Sequence, residues 1–168
     1  AILSGLVGSE MCIRDRYKER LYWHIRKIVI DHDDANDVVQ NTFIKIHLNI
    51  ENFKENSSLY TWMYRIATNE SLNFIKSKAS KMGLKNQEWI ESLADGLIAD
   101  PHFDGDEAAI ILHKQVAQLP EKQRIVFNMG YFDRMNYESI SEILGTSIGA
   151  LKSSYHHAVK KIKIELND

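Results

Sequence analysis

A single cysteine, Cys12, stands among the 168 residues. That excludes an internal disulfide framework and fits a reducing compartment. Of the two prolines, Pro101 falls in a glycine-punctuated acidic segment and Pro120 stands where a helix can open. Long hydrophobic runs are missing: the stretch from Ile2 to Val7 is broken by Ser4 and Gly5. It is far short of the ~20 residues that cross a bilayer. Basic residues follow that stretch and do not precede it, which is the wrong order for a signal peptide. The expectation is a soluble, cytoplasmic chain with no membrane insertion. No segment alternates apolar and polar residues cleanly over any length, so strands are not expected.

Chemical motifs are equally scarce. HExxH, GxxxxGK[ST] and GxSxG do not occur, and the seven histidines are scattered apart from the His156-His157 pair. With one cysteine, a zinc site is not expected. Asp31, Asp33 and Asp34 invite a calcium reading. A calcium loop begun at Asp31 would need glycine at position 36 and glutamate at 42, where Asn36 and Thr42 stand. The cluster reads as helix-capping chemistry. No catalytic residue, metal or cofactor is expected, and the chain is not expected to be an enzyme.

What is present is helical periodicity in a globular composition, 44% hydrophobic and 26% charged with a formal net charge of −2. Residues 1–16 have no clear period. They are expected to be an unassigned, non-native segment, with Met11 a candidate start. From Tyr17, Leu21, Ile25, Ile28 and Val29 form one apolar stripe. Asp33 or Asp34 can cap a second helix burying Ala35, Val39, Thr42/Phe43, Ile46 and Ile50. Ser58 can cap a third, with Leu59, Trp62, Met63, Ile66 and Ile75 inward.

Residues 82–105 change character, with Gly83, Gly96, Pro101 and Gly105 punctuating an acidic segment; Trp89, Ile90 and Leu93 offer at most one amphipathic turn. A flexible linker is expected, spanning ~27 Å as a coil and roughly 80 Å if extended. It separates two lobes, 17–81 and 106–168; residues 17–81 and 119–168 are mildly basic. In the second, Asp106 caps a helix, Pro120 opens another at its first position, Asn136 caps YESISEIL and Gly145 ends it. The fold class expected is all-α: two small helical domains joined by an acidic linker, the C-terminal one a helix-turn-helix.

The last helix, within GTSIGALKSSYHHAVKKI (145–162), buries Ile148, Leu151, Tyr155, Val159 and Ile162. Opposite lie Ala150, Ser153, Ser154, His157 and Lys161. Small polar residues let such a helix approach base edges, and lysines further along meet phosphates. The third helix carries Arg65, Asn69, Asn73 and Lys76 along one face, cations and amides that suit a nucleic-acid surface.

Three segments together resemble the sigma factors of bacterial RNA polymerase, in particular the two-domain extracytoplasmic-function group of the sigma-70 family. DANDVVQNTFIKIH (34–47) is similar to that family's core-polymerase-binding helix. FKENSSLYTWMYRIATNESLNFIKSK (53–78) resembles its −10 recognition and melting segment, and residues 119–166 its −35-binding domain. The resemblance implies that Asp37, Gln40, Asn41 and Lys45 dock on the polymerase. It implies that Asn56, Ser57 and Ser58 cradle a flipped −10 base, and that Arg65, Asn69, Asn73 and Lys76 line the path of the strand. It implies that Ser147, Ala150, Ser153, Ser154, His157, Lys160 and Lys161 face the −35 element. Asn41 stands where the family commonly has an acidic residue, and Ser154 and His157 where arginines are frequent. The partners implied are core RNA polymerase and promoter DNA, with an anti-sigma factor as a further candidate. The alternative reading is an autonomous helix-turn-helix regulator whose N-terminal lobe senses a signal or dimerises.

Overall fold

A computed structural model describes residues 2–54, 56–102 and 106–167; side chains are described for 12–54, 56–97, 100–102 and 106–165. The described residues form eight α-helices and no strand: α1 Ile2–Val29, α2 His32–Asn49, α3 Leu59–Lys81, α4 Asn86–Ala94, α5 Glu107–Ala117, α6 Glu121–Phe127, α7 Tyr137–Leu144 and α8 Ile148–Asn167. The all-α expectation holds.

Helices α1, α2 and α3 pack on one another around Leu21, Ile25, Ile28, Ala35, Val38, Met63 and Ala67. The helix expected from Tyr17 begins at Ile2, so residues 2–16 form an element where none was expected. No proline interrupts them, and Ile13 and Tyr17 extend the stripe of Leu21 and Ile25 at steps of four onto the core.

Asp31, and not Asp33 or Asp34, caps α2: its side chain accepts from the Asp34 N–H at 2.9 Å. Ile30, held at φ 67, stops α1 and leaves Asp31 extended at the cap position. Asp34 is buried and pairs with Lys78 of α3 at 3.0 Å. Ser58 caps α3 as expected, accepting from the Thr61 N–H at 3.1 Å.

The segment expected to be a flexible linker is folded where it is described. Helix α4 and the 3-10 turn Asp95–Ala99 bury Ile90, Ala94 and Leu97. Their spacing gives one apolar face that finds a partner on α3 and α5, and burial outweighs the acidic, glycine-punctuated composition. The Lys85 N–H donates to Glu88, which secures the first turn. Gly105 lies outside the described residues.

In the C-terminal group, Asp106 caps α5, accepting from the Ala109 N–H at 2.8 Å. Pro120 caps α6 one position earlier than expected: its extended ψ of 143° keeps it outside the helix, which starts at Glu121. Helix α6 continues into a π-helical turn, Asn128–Phe132. Asn136 caps α7, and Gly145, at φ 63, closes it in the left-handed region that a Cβ would strain. Phe127, Tyr131 and Tyr155 stack within this group. Gly130 permits that stack, because a Cβ there would stand 3.0 Å from the Tyr155 ring.

Candidate polymerase and nucleic-acid interfaces

On α2, Asp37, Gln40, Asn41 and Lys45 are all exposed. Burial of Ala35, Val38, Val39, Thr42 and Ile46 on the inner face turns them outward. Lys45 reaches α3, with its ammonium 2.5 Å from Glu70. Beside them Ile44 and Leu48 are 50% and 68% exposed, one helical turn apart. An uncovered aliphatic pair set among polar groups is the composition of a protein-docking face. Residue type alone would place both in a core, but their spacing off the stripe of Val39, Thr42 and Ile46 puts them outside.

Between α2 and α3, Asn56 is exposed and Ser57 half-buried, while the Ser58 hydroxyl is committed to the cap and to Thr61 Oγ1 at 2.8 Å. Phe53 packs on Trp62, ring centroids 5.3 Å apart, which pins the base of this loop. Trp62 thus belongs to the packing. Along α3, Asn69, Asn73 and Lys76 are exposed in one stripe. Arg65 is not: its guanidinium donates to the Glu142 carbonyl of α7 at 2.8 Å. The structure brings three of these four side chains to solvent and hands the fourth to the C-terminal group.

Ser147, just before α8, and Ala150, Ser153, His157, Lys160 and Lys161 on it are exposed, and Ser154 is half-buried. Leu151, Ala158 and Ile162 are buried beneath them. Ala158 is a core residue that reading for large apolar side chains passed over. Ser147 Oγ accepts from the Ala150 N–H at 3.4 Å, a long cap. Lys152 lies over the Tyr137 ring, 5.8 Å from its centroid, and ties α8 to α7.

The two groups of helices meet at Asp133, which follows the π-helical turn. Its carboxylate accepts from His24 Nδ1 and from the Lys27 ammonium, both at 2.6 Å. His24 is fully buried, and its Nε2 lies 2.9 Å from Thr68 Oγ1. The Thr68 hydroxyl spends its proton on the Tyr64 carbonyl, so it accepts from His24. Both ring nitrogens are thus engaged, one by Asp133 and one by Thr68. Burial alone would raise the Asp133 carboxyl; the charges and hydrogen bonds of His24 and Lys27 outweigh it and hold it below its ordinary value. Nearby, Tyr64 is pushed far above the usual phenol range, first by burial and then by the Tyr60 hydroxyl. It stays neutral. Asn128 adds a hydrogen bond to the Lys27 carbonyl at 3.2 Å. Sequence offered one hint of this junction, a histidine on the apolar stripe of α1.

Among the described residues there is no cluster of three metal-ligating side chains, and no helix is long and apolar enough to cross a membrane.

Comparison with known proteins completes the picture. The family profile for Sigma-70 region 2 matches residues 13–81, and that for Sigma-70, region 4 matches residues 109–162. The ECF RNA polymerase sigma factor SigW of Bacillus subtilis is 29% identical over 166 residues, covering 93% of this chain and 88% of that one. Two solved structures share the fold at a TM-score of 0.71 each. One is the sigma factor RpoE with the anti-sigma factor NepR from Bartonella quintana, at 22% identity, covering 92% of this chain and 98% of that one. The other is CnrH with the cytosolic domain of CnrY, at 19% identity, covering 98% and 91%. The two matched regions, in this order and at this spacing, place the chain in the sigma-70 family, in its extracytoplasmic-function group.

Proposed function

We propose that the chain works in the cytoplasm as the promoter-specificity subunit of RNA polymerase, contributing recognition and no catalysis of its own. The outer face of α2 meets core polymerase through Asp37, Gln40, Asn41 and Lys45, with Ile44 and Leu48 as its apolar centre. The loop of Asn56, Ser57 and Ser58 takes a base out of the −10 element, and Arg65, Asn69, Asn73 and Lys76 guide the strand. The outer face of α8, from Ser147 to Lys161, lies in the −35 groove. The carrying observation is that one chain presents three separate polar faces on α2, α3 and α8. An autonomous regulator needs only the last, so that alternative is not favoured.

The packed arrangement bears on how this works. A compact chain of 168 residues has a radius of gyration of about 15 Å. Two sites two helical turns apart on DNA are separated by ~70 Å. While α7 occupies Arg65, one molecule does not reach both. Polymerase binding draws the groups apart and sets the promoter spacing. The solved relatives held by NepR and by CnrY support a place for an anti-sigma factor here too, as a partner that opposes this opening.

The test is co-purification with core polymerase. Replacing Asp37 and Gln40 with alanine should reduce recovery about tenfold, the weight of one or two interface contacts, with helical content unchanged. Wild-type recovery of the double variant would remove α2 from the interface.

A further inference from the structure

Between α1 and the α5–α6 pair lies a cavity of about 220 Å³. Three cationic side chains line it: Arg26, Lys27 and Arg124. Arg124 is 1% exposed and Arg26 4%. Two of the three have a counter-charge, since Arg26 pairs with Asp100 and Lys27 with Asp133. Arg124 has only the neutral Gln87 Oε1, at 3.3 Å. Its Nε and Nη2 have no hydrogen-bond partner, nor has the Nε of Arg26. Glu121 and Glu91 act on Arg124 at longer range. An arginine keeps its charge at any ordinary pH and presents a planar fork of donors. Burying such a fork half-used is costly unless an anion completes it.

Apart from His113 the remaining walls are apolar, chiefly Trp23, Leu97, Val116 and Phe132. They choose among anions. Inorganic phosphate near neutral pH carries between one and two charges and no apolar body, and apolar walls do not replace the hydration it would surrender. A monocarboxylate gives its one charge to the fork and lays its hydrocarbon on the walls. The volume suits a compact organic acid, not a nucleotide.

We propose that this cavity binds a small monocarboxylate with an apolar body, its carboxylate gripped by Arg124 with Arg26 and Lys27 beside it. The walls come from both groups of helices, so the site exists only while they are packed together. A ligand there stabilises the packed arrangement by mass action and opposes its opening. The inference does not depend on the promoter reading, because the site is defined by the free chain.

His113 supplies an internal reporter. It lines the same cavity and stacks on Phe132, ring centroids 4.6 Å apart. Burial, then the Lys27 and Arg26 charges, lower its pKa to about 4. A carboxylate beside those cations offsets their field and moves the titration upward.

The experiment uses the full chain without polymerase, with butyrate and benzoate as probes and acetate and inorganic phosphate as controls at matched ionic strength. Calorimetry and thermal unfolding should give saturable binding and a raised Tm for the apolar-bodied acids, about tenfold tighter than for either control. Arg124→Met should abolish the effect and Arg124→Lys weaken it, because the charge remains while the fork is lost. The His113 ring resonances should titrate at higher pH with benzoate present. If Arg124→Met does not fold, Arg124→Lys and Lys27→Met carry the test. No saturable binding by wild type overturns the proposal. So does equal binding by the Arg124 variants, which would mean an adventitious ion only, and so does tighter binding of phosphate. Because no readout involves polymerase or DNA, failure here leaves the promoter reading standing, and the reverse also holds.

Discussion

The helices α1–α3 and α5–α8 solve the same problem differently. The first group uses long helices and buries polar side chains along their contacts, His24, Thr42, Thr68 and Ser71 among them. Each hydroxyl returns a hydrogen bond to the preceding turn, as Thr42 does to Val38 and Ser71 to Ala67. The second group sets three short helices, α5 to α7, against the long α8 and wedges them with stacked rings, Phe127, Tyr131 and Tyr155. Their presentation to DNA differs as well. The outer face of α8 is open, whereas on α3 the Arg65 guanidinium is held by α7. In the free chain the face proposed for the −35 element is open and the face proposed for the −10 element is partly covered. On the proposed reading, that asymmetry puts control of opening on the side that melts the duplex.

The largest test asks whether the two groups are energetically separate. Leu151 and Met63, one in each group, belong to one continuous apolar cluster. Met63→Ala and Leu151→Ala should each cost about 2–5 kcal/mol. Each should shift a single unfolding transition in denaturant, followed by circular dichroism. Two transitions, with one variant moving only one of them, would make the groups independent.

A smaller effect is expected at the junction. Asp133→Asn removes the charge that His24 and Lys27 share, at about 2 kcal/mol. Amide exchange should then speed up where α3 meets α7, while the interior of α2 keeps its protection. The pH dependence has a definite sign. The folded Asp133 carboxyl sits below its ordinary value of 3.8. Its stabilisation is therefore full above that value and is lost as pH falls through the lower folded value. Wild type should lose stability on that acid limb, and Asp133→Asn should lack this contribution in a urea series from pH 5 to pH 2.

The smallest effects separate roles along α8. Lys161→Ala should weaken holoenzyme binding to all promoters alike and lower the salt slope by about one unit. Ser153→Ala should cost about 1 kcal/mol and relax preference at one −35 position. Uniform loss for Ser153→Ala across −35 variants would turn this face from a base-reading surface into a phosphate anchor.

Much of this architecture is local and so was legible in the residue order. Ser58, Asp106 and Asn136 open their helices and Gly145 closes one because each carries its own capping chemistry within a few residues. The outer residues of α8 follow from spacing against Leu151 and Ile162. Three acidic neighbours compete for the start of α2, however, and the backbone at Ile30 chooses Asp31. Helix α4 was hidden because acidic residues and glycines mask an apolar face whose partners lie on α3 and α5. The junction at Asp133 joins residues more than a hundred positions apart, which no local pattern records. Arg124 escaped for the opposite reason: an arginine four residues into a helix reads as surface, yet it is among the most buried side chains of the chain.

Gly130 carries one more consequence. Its missing Cβ lets Tyr155 lie 3.0 Å from where that carbon would stand, and Tyr155 sits between Ser154 and His156 on the helix proposed to meet the −35 groove. Gly130→Ala would force the ring to yield by a few tenths of an ångström. Position 130 is not among the residues proposed to contact DNA, yet it sets the seat of a ring on the helix that carries them. On that reading promoter preference can drift through a residue that no footprint or contact map would nominate.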